Sequence, residues 1–529
     1  MTKKVTTAGF YSKKAVLTAV GVFSAIVRSI VFFCYLESPF RHFHKVTGLD
    51  METLLRFSEW GADGVFSPLF VVHRFLIYFV WLLNGKEHCV PAVIFLQCLS
   101  GIAGAVLAAD LILMLWGKRK IALFSGIFYG LYPVTLLYDF CILQESVTTT
   151  LILLGVWSYF KCRRCHFSSK STFLSGLLLG LSSVGRPVAA LLSVILPVKT
   201  FFDGKRKAAY LLAGGVFSLW LAASVFNLVF SQSFFPFFKA VNYTVSFHAQ
   251  KANENLPQQT SPQAGGLKRM IIGLPERTAK FFLSHEIPEN INYYFLRSRI
   301  FPLKYLPGPG ILMPIALAGF FLMLLRLKHR EGVLLGIILL LALPLAAREP
   351  LGRYRLHLIP YFVLCGAYFF IVLLKNSRKS LCLCGGAYAL ALGVNIVCFH
   401  HAQIRVSDHV AWGKALEIKN NGNPSAESLK EFFAAWIKSR WSDRAAAVNL
   451  ITSSCRAGNM RLAMQTIEQG ISGPAKEKSI YHYYKAVILT SNRQFSAAGK
   501  ELAQIKEEEI PSLKKKIQIL RKVVQRKSF

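Results

Sequence analysis

The chain has 529 residues, 53% of them hydrophobic and only 17% charged, with a mean hydropathy of +0.42. A soluble enzyme of this length exposes more charge than that, so the bilayer is its main solvent. Lys and Arg number 62 against 27 Asp and Glu, a net charge of +35. Yet the cations stand in short clusters at the ends of apolar runs, where membrane topology puts them, and nucleic-acid binding is set aside as their reason.

In chain order, Lys3, Lys4, Lys13 and Lys14 precede an apolar run over 15–36 with no convincing cleavage site, which predicts an uncleaved first span and an inside N-terminus. A polar loop follows with Asp50, Glu52, Glu59 and Asp63, then a stretch from Ser67 to Asn84 whose His73 and Arg74 predict an interfacial helix. Further spans are predicted near 90–116, 121–138 and 145–160, with Lys118 to Lys120 and Lys161 to Arg164 as basic connections. The run 172–198 is broken by Gly185-Arg186-Pro187 and reads as two short helices meeting at the outer face. Cys162 to His166 matches a covalent haem-attachment pattern, but its neighbours Lys161 and Lys170 put it in an inside loop, and haem is rejected. The 11 cysteines give no paired disulfide framework.

After Lys205-Arg206-Lys207 and a span near 208–230 comes a long polar, aromatic stretch over 231–306, expected to be an ordered external loop with short helices. Spans near 309–326, 332–347, 356–374 and 381–399 bring the count to about eleven. The fold class is therefore all-α, a polytopic helical bundle over 1–400, with a soluble helical domain over 401–529 left outside by the odd count. In that domain Met460, Ala463 and Ile467 recur as Phe495, Ala498 and Leu502, an offset close to the tetratricopeptide period, and 425–447 is expected to supply further repeat helices.

Four ionic sites fall on the outer side of this topology: Asp50 with Glu52, Asp139 with Glu145, Arg186, and Arg348 to Arg355. Carboxylates there can take a proton from an acceptor, and arginines can hold a phosphate through charge-assisted pairs of bonds. Blander roles compete: Asp110 reads as an interfacial residue, Glu52, Glu59 and Asp63 as solvated charges, and Asp139 as a helix cap. Glu145 is harder to dismiss, because a carboxylate opening an apolar span is costly without a partner.

Three runs carry a resemblance: Gly48-Leu49-Asp50 through Ser67-Pro68-Leu69-Phe70, the stretch from Gly176 to Pro187, and Gly352-Arg353-Tyr354-Arg355-Leu356-His357-Leu358-Ile359-Pro360. In these the chain resembles the bacterial protein O-mannosyltransferase-like and aminoarabinose-transferase-like membrane glycosyltransferases of the GT-C fold, over roughly 1–400. The resemblance implies a bacterial cytoplasmic-membrane enzyme that transfers a sugar from a polyprenyl-phosphate donor to a lipid, glycan or protein acceptor at the external face. It implies catalytic roles for Asp50 and Glu145, and substrate contacts for Glu52, Arg186, Arg353, Tyr354 and Arg355. Asp63 aligns as an alternative to Asp50. No metal cluster is visible; a divalent cation bridging Asp50 and phosphate stays an open alternative, as does a protein partner for 401–529. The competing functional classes are a polytopic transporter, which would carry ionisable residues at mid-bilayer, and a membrane-anchored repeat scaffold.

Overall fold

A computed structural model describes residues 12–58, 71–231, 291–346, 352–375, 377–397, 404–475 and 477–527, with 277, 280–283 and 285–288 from the intervening stretch. Glu59, Asp63, Arg348 and most of the expected external loop over 231–306 lie outside the described residues. Among the described residues every regular element is helical. They fall into two compact units, one of 1–34 with 53–402 and one of 35–52 with 403–529.

The first unit is a bundle of apolar helices: α1 (Lys13–Glu37), α2 (Asp50–Ser58, whose first residues belong to the other unit), α3 (Val71–Trp116), α4 (Arg119–Leu131), α5 (Pro133–Asp139), α6 (Glu145–Arg164), α7 (Ser169–Gly185), α8 (Ala190–Phe202) and α9 (Arg206–Ser231). The short α10 (Tyr293–Arg299) precedes α11 (Pro309–Leu325), α12 (His329–Ala346), α13 (Gly352–Arg355), α14 (Ile359–Leu373) and α15 (Arg378–Val397). Five of these helical stretches are long and apolar enough to cross a bilayer, six if the bent pair α4 and α5 counts as one span, and shorter apolar helices fill out the bundle. This is a polytopic all-α membrane protein. The expected interfacial helix runs from Val71 to Gly85, where a left-handed φ of 72° breaks α3; the candidate span behind it is His88–Trp116.

Small residues set the closest helix contacts. A Cβ on Gly176 would strike the Leu212 carbonyl, and one on Gly215 the Phe173 carbonyl, so α7 and α9 touch backbone to backbone. Gly319 meets the Cys365 carbonyl in the same way and joins α11 to α14. Lipid gives little hydrophobic drive for helices to associate, so such van der Waals fit at Gly176-Leu-Leu-Leu-Gly180 has to supply it. At the end of the bundle rich in Lys and Arg, Asp110 accepts from Trp157 at 3.0 Å and pairs with Lys13 at 2.7 Å, tying α1, α3 and α6.

The second unit holds α16 (Val406–Lys419), α17 (Ala426–Lys438), α18 (Arg444–Arg456), α19 (Met460–Ser472), α20 (Ser479–Ser491), α21 (Phe495–Ala503) and α22 (Lys514–Lys527). They form three successive helical hairpins closed by a basic terminal helix. Ala463, Ile467, Ala498 and Leu502 are buried in one core with Phe432, Trp436 and Tyr481, whereas Met460 is exposed. The boundary differs from the expected one, because Tyr35–Glu52 also packs here. Its 3-10 turn Pro39–Lys45 buries Phe40 and Phe43, Phe43 meets Trp412 edge-on at 6.0 Å, and Lys419 Nζ donates to the Glu37 carbonyl at 2.6 Å. Phe40 and Phe43, in a loop expected to be polar, form an apolar plug.

Candidate functional site

The site grows from three places in the first unit where a helix is interrupted. Between α5 and α6 the backbone unwinds, and carbonyls released inside a membrane bundle need donors. Gln97 of α3 provides them: its buried Nε2 donates to the carbonyls of Cys141 (2.7 Å) and Leu143 (3.1 Å). The turn so fixed delivers Glu145 to the first turn of α6, where the positive end of the helix dipole favours a carboxylate. The second break is at Arg186, which caps α7 in an extended conformation before Pro187 opens a 3-10 turn into α8. The third is the entry to α14, where α13 and a 3-10 turn, Leu356–Leu358, replace regular helix.

These breaks bring together Glu145, Arg186, Arg353 and Tyr354. The Arg186 guanidinium faces Glu145 with Nη2 3.5 Å from Oε1. That is well beyond the 2.7–2.9 Å typical of a charge-assisted bond. The carboxylate is only 2% exposed, and its Oε2 makes no hydrogen bond among the described residues. Both guanidiniums lie against one ring: Cζ of Arg186 is 5.1 Å and Cζ of Arg353 4.9 Å from the centroid of Tyr354. Arg353 also donates to the Tyr354 hydroxyl at 3.1 Å. Beside them His357 is held through Nδ1 by Thr149 Oγ1 at 2.8 Å, one turn along α6 from Glu145, and its Nε2 is buried without a partner among the described residues. His357 was quoted in the sequence only as part of a motif, and its place next to Thr149 is a property of the fold.

Two expected site residues stand differently. Arg355 is buried and held in direct contact by Glu286, with a further bond to the Leu283 carbonyl. Gly352 N donates to the Ile287 carbonyl at 2.9 Å, and a Cβ on Gly352 would lie 2.9 Å from Glu286 Oε2. Arg355, expected to contact substrate, has its charge paired with Glu286 and ties Leu283 and Glu286 to the start of α14. Glu286 Oε2, like Glu145 Oε2, lacks a hydrogen bond, but its other oxygen is in contact with its cation. Asp139 is no helix cap: Oδ2 is 2.8 Å and 2.9 Å from Arg28 Nη2 and Nε, and Oδ1 accepts from Ser146. A side chain on Gly101 would collide with this pair.

Asp50 and Glu52 belong to the other unit, where they form the acidic first turn of α2 beside buried Met51. Among the described residues no three His, Cys, Asp or Glu side chains gather as metal ligands.

No family model matches the sequence, and no curated protein matches it. Among solved structures the chain is similar to the archaeal oligosaccharyltransferase AglB from Archaeoglobus fulgidus, described in complex with an inhibitory peptide and a dolichol-phosphate. Identity is 13% and the TM-score 0.41, over 80% of this chain and 60% of that one. The chain thus spans about three fifths of that structure's length.

Proposed function

We propose that the protein is a membrane glycosyltransferase that takes a sugar from a polyprenyl-phosphate donor and passes it to an acceptor at the extracytoplasmic face. The observation that carries this reading is the buried Glu145 carboxylate, one oxygen without a partner and the other loosely facing Arg186, beside a ring that holds two guanidiniums. Such an arrangement suits a phosphate ester with an attacking hydroxyl. The donor phosphate enters between Arg186 and Arg353, and Glu145 turns from a loose ion pair to proton acceptor. The acceptor oxygen loses its proton to Glu145 and attacks the anomeric carbon. The bond from that carbon to the phosphate oxygen breaks, and the guanidiniums take up the charge of the departing phosphate. Tyr354 keeps the two arginines in place, and His357 with Thr149 lines the α6 side.

The resemblance of the sequence keeps Asp50, with Glu52 beside it, as a rival candidate for the base. Arg355 leaves the donor set, because freeing it would strand Glu286. The external face is supported by the Lys and Arg clusters at alternate connections, which put the Lys13 end inside.

The test is release of polyprenyl phosphate from a panel of polyprenyl-phosphate sugars by the full chain in lipid nanodiscs, for wild type, Glu145→Gln and Asp50→Asn. Transfer by wild type that Glu145→Gln abolishes supports the reading. Turnover untouched in Glu145→Gln but lost in Asp50→Asn moves the base to Asp50. Wild type that releases nothing from any donor sinks the enzyme reading in favour of a transporter or scaffold.

A further inference from the structure

At the opposite end of the first unit, where α6, α8 and α12 end or begin, lies a cavity of about 360 Å³ lined by Arg163, His166, Phe167, Asp203, Lys205 and His329. Two cations and two imidazoles face a single carboxylate, and that carboxylate is already held by Lys199, at 2.9 Å and 3.1 Å. Arg163 is 3.7 Å from Asp203 and shares a hydrogen bond with His329 Nε2, which is itself 4.0 Å from the same carboxylate oxygen. The wall is formed by an unusual turn: His166 and Phe167 both take left-handed backbone conformations, φ 53° and 59°. That is unfavourable for side-chain-bearing residues and persists only where surroundings fix it. Phe202, next in sequence to Asp203, and Leu327, two residues before His329, are large exposed apolar side chains, 81% and 65% accessible.

We propose that this cavity binds the phosphate of an anionic phospholipid headgroup. A basic pocket between helix ends, rimmed by apolar side chains at the membrane boundary, matches a phosphodiester carried on acyl chains: Arg163 and Lys205 meet the phosphate, and Phe202 and Leu327 meet the chains. A free phosphate would use the same cations but gain nothing from the rim. The site is independent of the proposed transfer chemistry, since none of its residues belongs to the Glu145 cluster.

The experiment uses the full chain in neutral detergent and counts bound lipid by native mass spectrometry, with phosphatidylglycerol and phosphatidylcholine as probes and inorganic phosphate as competitor. Wild type should prefer phosphatidylglycerol by about tenfold or more. Arg163→Gln with Lys205→Gln should abolish that preference. Lys205→Glu, at an exposed position, should do the same without a folding defect. Lys118→Gln with Lys120→Gln, which removes equal charge elsewhere, should leave it intact. The proposal fails if the cavity variants keep the preference, if the Lys118 and Lys120 variant loses as much, or if millimolar inorganic phosphate displaces the lipid completely, which would mark a free-phosphate site.

Discussion

Asp139 and Glu145 flank the same unwound turn, are equally buried, and each faces an arginine, yet they are built for opposite ends. Asp139 has both oxygens engaged, by Arg28 and Ser146, at ordinary bonding distances or closer. Glu145 stands 3.5 Å from Arg186 with an oxygen to spare. A closed pair holds helices together and has nothing left to offer a substrate. An open pair loses stability that packing elsewhere must supply, and leaves a carboxylate oxygen without a hydrogen bond among the described residues.

The largest effect should come from the closed pair. Arg28→Ala leaves the Asp139 charge buried and unpaired, and the expected loss is about 3–5 kcal/mol. Thermal unfolding in detergent should show it, with part of the loss recovered in the double variant that also carries Asp139→Ala. A stable Arg28→Ala protein without transfer activity would erase the distinction and make both pairs functional.

Glu145→Gln is the converse. It keeps shape and removes the charge, so unfolding should change little while transfer falls by about 10²–10⁴-fold, the usual contribution of a positioned general base. If Glu145→Gln unfolds like Arg28→Ala, the open pair is structural after all.

Arg353 and Arg355 repeat the comparison two residues apart. Arg353→Ala should weaken donor binding by about 1.5–3 kcal/mol, the range for a charged hydrogen bond. Lysine should restore it only in part, since it lacks the planar fork. Arg355→Ala should instead lower thermal stability, because it strands Glu286. Titration of both variants with polyprenyl-phosphate sugar, alongside melting curves, separates the two roles; a binding defect confined to Arg355→Ala would reverse them.

Much of this was legible before any coordinates. Apolar run length showed an all-α membrane bundle, because a helix must satisfy its own backbone in lipid, but of the roughly eleven expected spans only five or six among the described residues are helices long and apolar enough to cross. Glu145 opening α6, the helix break at Arg186, and Arg353-Tyr354 at the entry to α14 were all readable from charge and proline against an apolar background. What could not be read was partnership. Arg28, alone in the first apolar run, was a signal that went unused, since a lone arginine there demands an acid. Nothing local to Glu286, far along a polar loop, pointed to Arg355. Nor does the turn Pro39–Lys45 announce that it plugs a unit built almost entirely from the other end of the chain.

That plug offers a third way to bury an ionisable group, which is to leave it neutral. Burial, aided for His42 by Arg41, Lys45 and Lys419 and for His44 by Lys45, pushes both imidazoles down from 6.5 to about 4. A histidine whose folded pKa is depressed adds no pH dependence above 6.5, where both states are neutral. Between 6.5 and 4 the unfolded chain takes up protons that the folded one refuses, so stability falls with falling pH and levels off below that window. The effect should be the smallest here, because both side chains remain partly solvated. Hydrogen exchange of the α16 amides in the full chain, compared at pH 7 and pH 5, should show faster opening at the lower pH. Replacing both histidines by glutamine should flatten that difference. If exchange at pH 5 is as slow as at pH 7, or the double variant keeps the full acid sensitivity, the two imidazoles are not what the plug holds neutral, and the acid response belongs to other groups of the unit.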